Sequence, residues 1–300
     1  MNRYKKEEKP KNPAVSFYSK QKIQCPFCKK EFSREEILSG GGRMIAGSLT
    51  DELRRNFEPS LKFGPIYPMI YSVAVCPTCF AATLWSDFEG IKDEELINTI
   101  IDTEDERKTT VSRVFPFYDF SRPRTLLDGA AAYYLALLCY EKFPHSYSPC
   151  IKKALICLRT AWLSGDLHDL CPNRGFDFVR QKFYQKALFL YQQALDFEQK
   201  RVENITTIGH FGPDIDKNYG YDGVMYLSGL LEYKYGQRKN MQERLKKLGE
   251  FKHTIARIFG LGKSSKNKPG PLLEHSRTLY DNVKKELEDA NVFTDDDDEE

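Results

Sequence analysis

The sequence has no apolar run approaching the roughly 18 residues that a bilayer-spanning helix needs, which excludes a membrane span. Its first stretch, MNRYKKEEKPKNPAVSFYSKQK, never reaches the apolar core of a signal peptide and reads as a solvated basic tail of a cytoplasmic protein. An excess of one charge is missing as well: 45 Lys and Arg stand against 43 Asp and Glu in 300 residues, so no global field argues for nucleic acid or membrane. Charge is instead local. Residues 1–34 carry ten basic and three acidic side chains, residues 238–268 ten and two, and residues 274–300 three and eleven. Histidine is scarce, and the five present are too scattered to suggest a Ser/His/Asp or Cys/His set. The glycine run SGGGR at Ser39–Arg43 lacks the Gly-Lys-Ser/Thr ending of a phosphate loop and reads as a flexible turn.

Cysteine is what the chain does have, with CPFC at Cys25–Cys28 and CPTC at Cys76–Cys79 among eight cysteines. In a reducing cytoplasm a structural disulfide pairing is disfavoured, which leaves metal or redox chemistry. Neither CxxC opens a helix in a βαβ unit, as a thioredoxin-like dithiol requires. Two such turns aim four sulfurs at one point and complete a tetrahedral site, so Cys25, Cys28, Cys76 and Cys79 are the expected ligands of a structural Zn2+. A rubredoxin-type iron uses the same thiolates, and unliganded cysteines are the plain alternative. Both metal knuckles usually place Gly after the second Cys to allow a left-handed backbone, whereas Lys29 and Phe80 stand there in this chain. Four thiolates leave no open position for water or substrate, so such a metal holds structure and does no chemistry. Between the knuckles the sequence predicts short helices over Ser33–Leu38, with Ser33 as N-cap, and over Thr50–Asn56. A strand over Met69–Val75 would deliver Cys76.

From Thr125 the apolar period becomes 3.6, with Leu126, Ala130, Tyr134 and Leu138 in one stripe. A second helix starts at Pro149 and is expected to stop before Gly165; a third follows in FDFVRQKFYQKALFLYQQALDFEQK. A fourth ends at Gly236, and a fifth runs from about Asn240 to Phe259. Ala154, Leu158 and Ala161 are echoed 33 residues later by Ala187, Tyr191 and Ala194, the small-residue spacing of tetratricopeptide-like repeats. Gly229 and Gly236 share the seven-residue spacing, whereas Met241, Leu245 and Leu248 depart from it. An ordinary helical bundle is the alternative.

CPFCKKEF, YPMIYSVAVCPTC and the SDF after it, followed by the repeat-like helices, resemble the bacterial domain-of-unknown-function family numbered 2225 over about residues 22–250. The resemblance implies a zinc-knuckle domain joined to helical repeats, with Cys25, Cys28, Cys76 and Cys79 matching the metal motif. It implies no reaction. The chain departs at Phe80, where the family generally carries Gly, and in its charged termini.

The expected class is therefore mainly α, a small α+β zinc-knuckle domain followed by tetratricopeptide-like repeats. The expected division is a disordered basic tail over 1–21, the four-cysteine domain over 22–90, a helical or irregular linker over 91–124, the helical domain over 125–289 and a disordered acidic tail over 290–300. FPFYDFSRPR, ending at Arg124, is read as linker packed on the first helix; the acidic residues of EDER and DFE are read as surface choices. Cys139, Cys150 and Cys157 are read as buried packing residues. His168 and Cys171 make a weak candidate second metal pair. Functionally, a non-enzymatic adaptor that meets a protein partner through its helices leads. A nucleic-acid- or ribosome-binding role through the basic arm, Lys29, Lys30 and residues 238–268 is the runner-up. A redox or hydrolytic enzyme has no positive constellation behind it. The tail from Asp295 to Glu300 reads as a solubilising extension, with screening of the basic 238–268 stretch as the alternative.

Overall fold

A computed structural model describes residues 14–260 and 268–296, with side chains to residue 290. Most of the basic tail and Asp297–Glu300 of the acidic tail lie outside the described residues, so the expectation of tail screening falls outside them as well. The chain is mainly helical, with small antiparallel strand pairs in its N-terminal third. Strands β1 (Ser16–Gln24) and β2 (Glu31–Ile37) form one hairpin, β3 (Ile45–Leu49) and β4 (Arg55–Glu58) a second, and β5 (Val73–Val75) and β6 (Ala82–Leu84) a third. The helices are α1 (Trp85–Phe88), α2 (Glu94–Asp102), α3 (Glu104–Val114), α4 (Leu126–Tyr140), α5 (Pro149–Leu170), α6 (Phe176–Gln199), α7 (Gly220–Tyr235), α8 (Met241–Phe259) and α9 (Gly270–Asp296).

Several local expectations give way to tertiary pairing. Ser33–Ile37 belongs to β2 and is not a helix, because the first cysteine turn reverses the chain and sets the register Ile23↔Phe32 and Lys22↔Ser33. Phe32 is then buried, and Glu35 accepts from Ser16 Oγ at 2.6 Å and from the Arg124 backbone N–H at 3.2 Å. Thr50–Asn56 is a hairpin tip running into β4, closed by Leu49↔Arg55. Met69–Val75 is a 3-10 turn (Pro68–Tyr71) followed by the short strand β5. The expected start of order at residue 22 lies inside β1, whose ladder reaches back to Ser16. Helix α5 does not stop at Gly165. It continues to Leu170, and the glycine sits where a Cβ would come within 3.3 Å of Arg180 Cδ on α6.

The helix starts agree with their capping chemistry. Thr125 and Asp128 form a reciprocal capping box at α4, Asn240 Oδ1 accepts from Glu243 N at α8, and Pro149 occupies the first turn of α5. From α4 to α9 each helix packs on the next in sequence. Ala154, Ala161, Ala187 and Ala194 are all buried, and α5 and α6 share the largest helix interface. Residues 91–124 are less a linker than a wall. Leu96, Ile100, Val111 and Phe115 are buried, and Asp119 N–H donates to Asp128 Oδ1 at 2.7 Å. Buried side chains run as one cluster from Phe27 and Phe32 through the helices to Val283.

The junction between the cysteine region and the helices is tightest at Gly129 on α4. A Cβ there would overlap the Ile70 side chain and lie 3.2 Å from Ile70 Cα, so the 3-10 turn before β5 rests directly on the helix backbone. Tyr133 on α4 seals the contact by donating its hydroxyl to Met69 O at 3.0 Å. Helix propensity alone favours Gly→Ala by about 1 kcal/mol. At Gly129 overpacking outweighs that gain, and Gly129→Ala is expected to destabilise by about 1 to 3 kcal/mol. Gly249→Ala on α8, where nothing lies within 4 Å of the added methyl, is expected to stabilise slightly. Urea midpoints of the two variants moving in the same direction would contradict this packing.

Candidate metal centre

The two cysteine turns are built alike. Each is a six-residue hairpin loop, closed by Gln24↔Glu31 in the first case and by Val75↔Ala82 in the second. The Cys25 N–H donates to Lys30 O at 2.9 Å and Lys29 N–H to Cys25 O at 3.0 Å; the Cys76 N–H donates to Ala81 O at 3.0 Å and Phe80 N–H to Cys76 O at 2.9 Å. That closure forces the residue after the second cysteine into the left-handed region, at φ 61° for Lys29 and 55° for Phe80. Glycine is the usual residue for such a position, and both side chains offset the strain. The Phe80 ring packs edge-on against Tyr118 and Phe120 under the Lys108 ammonium. Lys29 folds its ammonium back onto Pro26 O at 2.6 Å.

The structure brings Cys25, Cys28, Cys76 and Cys79 together, with all four sulfurs within 4.8 Å of one another. Cys25 and Cys79 Sγ are 3.7 Å apart, and Cys28 and Cys76 Sγ 3.6 Å. A tetrahedron with metal–sulfur bonds of about 2.3 Å has sulfur–sulfur edges of about 3.8 Å, so the spacing fits a four-coordinate thiolate centre. The charge balance points the same way. Hydrogen bonding with Cys76 pushes the Cys25 thiol up to about 12, hydrogen bonding with Cys25 and Cys79 pushes Cys76 down to about 2, and hydrogen bonding with Cys25 and Cys76 drives Cys79 upward. Negative charge therefore gathers on one sulfur. Holding four thiolates at this separation takes a cation. Backbone N–H groups of Thr78 and Cys79 toward Cys76, of Cys28 toward Cys25 and of Ala81 toward Cys79 favour the ionised sulfurs.

The surroundings are dry and aromatic. Cys25, Cys76 and Cys79 are buried, and Phe88 meets Phe27 and Phe32 edge-on beneath the first turn. Arg107 of α3 is 2 % exposed and donates to Cys79 O at 3.3 Å while holding Ile100 O and Thr103 Oγ1. Asp87 of the SDF segment accepts from Tyr140 OH at 2.5 Å and pairs with Lys152 Nζ at 2.7 Å; Tyr140 OH in turn accepts from Leu84 N–H. The acidic residues of EDER lie at the surface as expected, whereas Asp87 of DFE is an anchoring group that a surface reading missed. Arg107, four positions after Thr103 at a helix start, is buried as well, and nothing local in the sequence marks it so.

The remaining candidates separate. Cys139, Cys150 and Cys157 are buried in or at the start of helices, and burial raises each thiol; Cys139 Sγ accepts from Ala82 N–H at 3.4 Å. His168 lies 3.9 Å from Asp177 and Cys171 is exposed, and among the described residues neither joins a cluster of metal-ligating side chains. Ser39–Arg43 is a turn whose three glycines, Gly40, Gly41 and Gly42, all have positive φ. Among the described residues no helix is long and apolar enough to cross a membrane.

The family described as "Uncharacterized protein conserved in bacteria (DUF2225)" matches residues 18–283. A protein of Borreliella burgdorferi described as "Uncharacterized protein" is 40% identical over 274 residues, 91% of this chain and 98% of that one. No solved structure matches the chain.

The two left-handed residues yield a paired expectation. Lys29→Gly relieves strain on the order of 1 kcal/mol and gives up little packing, so its urea midpoint should equal or exceed that of the parent. Phe80→Gly relieves the same strain but removes the aromatic contacts with Tyr118 and Phe120, a loss of about 3 kcal/mol that wins. Its midpoint should fall, and metal should be lost to a chelator faster.

Proposed function

The chain belongs to the DUF2225 family, and from that membership and the geometry of its cysteine centre we propose a zinc-stabilised, non-enzymatic adaptor. In this reading the metal fixes the two hairpins against α3 and α4, and the tetratricopeptide-like helices present a surface to a protein partner. One observation carries it. The four sulfurs close on one another inside a buried aromatic shell, a donor set suited to holding a metal with no coordination position left for substrate. Cys25, Cys28, Cys76 and Cys79 would hold the ion, which supplies cross-linking between hairpins that share no strand pairing. Zinc is favoured over iron because structural tetrathiolate sites in reducing compartments most often serve folding without redox change. The cytoplasm is the compartment this reading assumes.

A second reading has one observation in its favour. Phe17, Tyr18, Lys20, Lys22, Lys29 and Lys30 are exposed together on β1 and the first cysteine turn, an aromatic and basic mixture suited to single-stranded nucleic acid. It remains the minor reading because overall charge is balanced.

Protein purified without chelator should contain about one zinc per chain, and Cys76→Ser should lose it together with the N-terminal hairpins' protection from proteolysis. Metal should also dissociate as pH falls, since protons compete for the thiolates. A charge-transfer colour would identify iron instead. Capture of partners from native lysate with and without nuclease separates the two roles: protein partners that persist after nuclease support the adaptor, and partners lost with the nucleic acid overturn it.

A further inference from the structure

The hairpin of β3 and β4 is attached differently from the other two. Glycines at positive φ flank it on both sides, Gly40, Gly41 and Gly42 before it and Gly64 after it. Within residues 44–63 only Glu52 and Leu53 are buried, and both lie at the tip. A hairpin serving only to brace the fold would bury an apolar strand face; this one inserts its tip, is held at the first residue of β4, where Arg55 N–H donates to Asp214 Oδ2 at 2.6 Å and Arg55 Nε pairs with Asp216 at 3.2 Å, and leaves the rest of its strands half-buried or exposed.

The tip is a self-closed turn. Thr50 N–H donates to Arg54 O at 2.9 Å, Leu53 N–H to Thr50 O at 3.0 Å and Arg54 N–H to Thr50 Oγ1 at 3.1 Å. Leu53 sits at φ 60° inside it. The helices read the tip's side chains by chemical type. Glu52 Oε2 accepts from Trp162 Nε1 at 2.5 Å and Tyr184 OH at 2.7 Å, and Oε1 lies 3.1 Å from Lys234 Nζ. Tyr235, stacked on Tyr184 at 4.1 Å, completes the carboxylate pocket. Lys234 also pairs with Asp51 at 2.8 Å, and Tyr226 OH donates to Asp51 O at 2.7 Å. On the other side Arg54 pairs with Asp166 at 2.5 Å. These receiving groups come from α5, α6 and α7, and Trp, Tyr and charged partners of this kind dominate the energetics of protein interfaces. A cavity of about 220 Å³ remains between the tip and α5 and α6, beside Arg180 and Asp169.

We propose that this face of α5, α6 and α7 is the docking site for a protein partner presenting an acidic–acidic–apolar–basic turn of the Asp-Glu-Leu-Arg kind, and that the β3–β4 tip is its built-in competitor. The inference rests on the adaptor reading and specifies the partner's chemistry. Charge complementarity selects the occupant: a carboxylate meets three donors, a guanidinium meets a carboxylate, and a leucine fills the space between them. The glycines at both bases supply hinges on which the hairpin can leave while both cysteine turns stay in place. The partner's turn then takes over the same hydrogen bonds, so the exchange is reversible and is governed by the partner's concentration against the effective concentration of the tethered tip.

The test uses a fluorescent peptide of residues 45–58, IAGSLTDELRRNFE, cyclised head to tail so that the Ile45↔Glu58 pair of the hairpin is retained. By anisotropy it should bind the full-length double variant Glu52→Ala/Arg54→Ala saturably, and the parent chain at least tenfold more weakly, because the parent's own tip competes. The same peptide carrying Glu52→Gln should lose at least tenfold in affinity for the variant. A folded variant, verified by circular dichroism and zinc content, that fails to bind would overturn the proposal; so would equal binding to parent and variant. If the variant does not fold, hydrogen exchange on the parent decides: saturating peptide should accelerate exchange of the residue 50–55 amides, and unchanged exchange would overturn the proposal. A dimer held by exchanged hairpins, detected by mixed-isotope cross-linking, would assign the face to a second copy and also overturn it. None of these failures touches the nuclease-resistant capture that tests the adaptor reading itself.

Discussion

Two hairpin turns that share no strand pairing must deliver four sulfurs to one point, and the structure around them is arranged to meet that constraint. The loops match atom for atom in their backbone hydrogen bonds, and each ends in a left-handed residue that is not glycine. Hydrogen bonding among the crowded thiols gathers negative charge on Cys76, and four sulfurs at this spacing form a donor set that fits a cation. What ties the cysteine turns to the rest of the fold is a set of rigid contacts: Phe88 under the first turn, Arg107 on the Cys79 carbonyl, and Ile70 pressed against Gly129.

Buried charge holds the rest of the small strands to the helices. Arg124 donates to Ile70 O and Val73 O and faces Glu35, burial lowering its pKa while the carboxylate opposes that shift. Asp87 joins Tyr140 and Lys152, and Glu52 joins Trp162, Tyr184 and Lys234. Each such group would be costly if left alone and is satisfied several times over. Such contacts specify one arrangement of hairpins on helices more than they add stability, since desolvation offsets most of the Coulomb gain. They also distinguish the β3–β4 hairpin. Its anchors are the tip and Arg55 at the start of β4, so the contacts holding it are concentrated in residues 51–55.

Much of this was legible in the sequence. The CPFC and CPTC pair identified the cysteine cluster, because the spacing within each CxxC is fixed by the geometry of a single turn. The 3.6-residue period located the later helices, and Asn240 and Gly236 marked ends that the structure keeps. Ala154, Ala161, Ala187 and Ala194 were readable as helix contacts because small side chains at that spacing have few other uses. The errors fell where local propensity competed with pairing: SREEIL and TDELRR carry helix-forming residues and yet lie in hairpins. Gly165 looked like a stop signal and is a close approach between helices.

By itself, then, the sequence determined what is local: the sulfur-bearing turns, the helical periods and the caps, each set by residues a few positions apart. Only the tertiary structure decided what depends on distant partners. Phe80 accepts a left-handed backbone because Tyr118 and Phe120, brought in by folding, offset the strain. Arg107, Asp87 and Glu52 become interior groups because residues 28, 65 and 110 positions away complete their hydrogen bonds or ion pairs. A charged side chain looks the same in a sequence whether water or a buried partner satisfies it, and only the folded neighbourhood distinguishes the two.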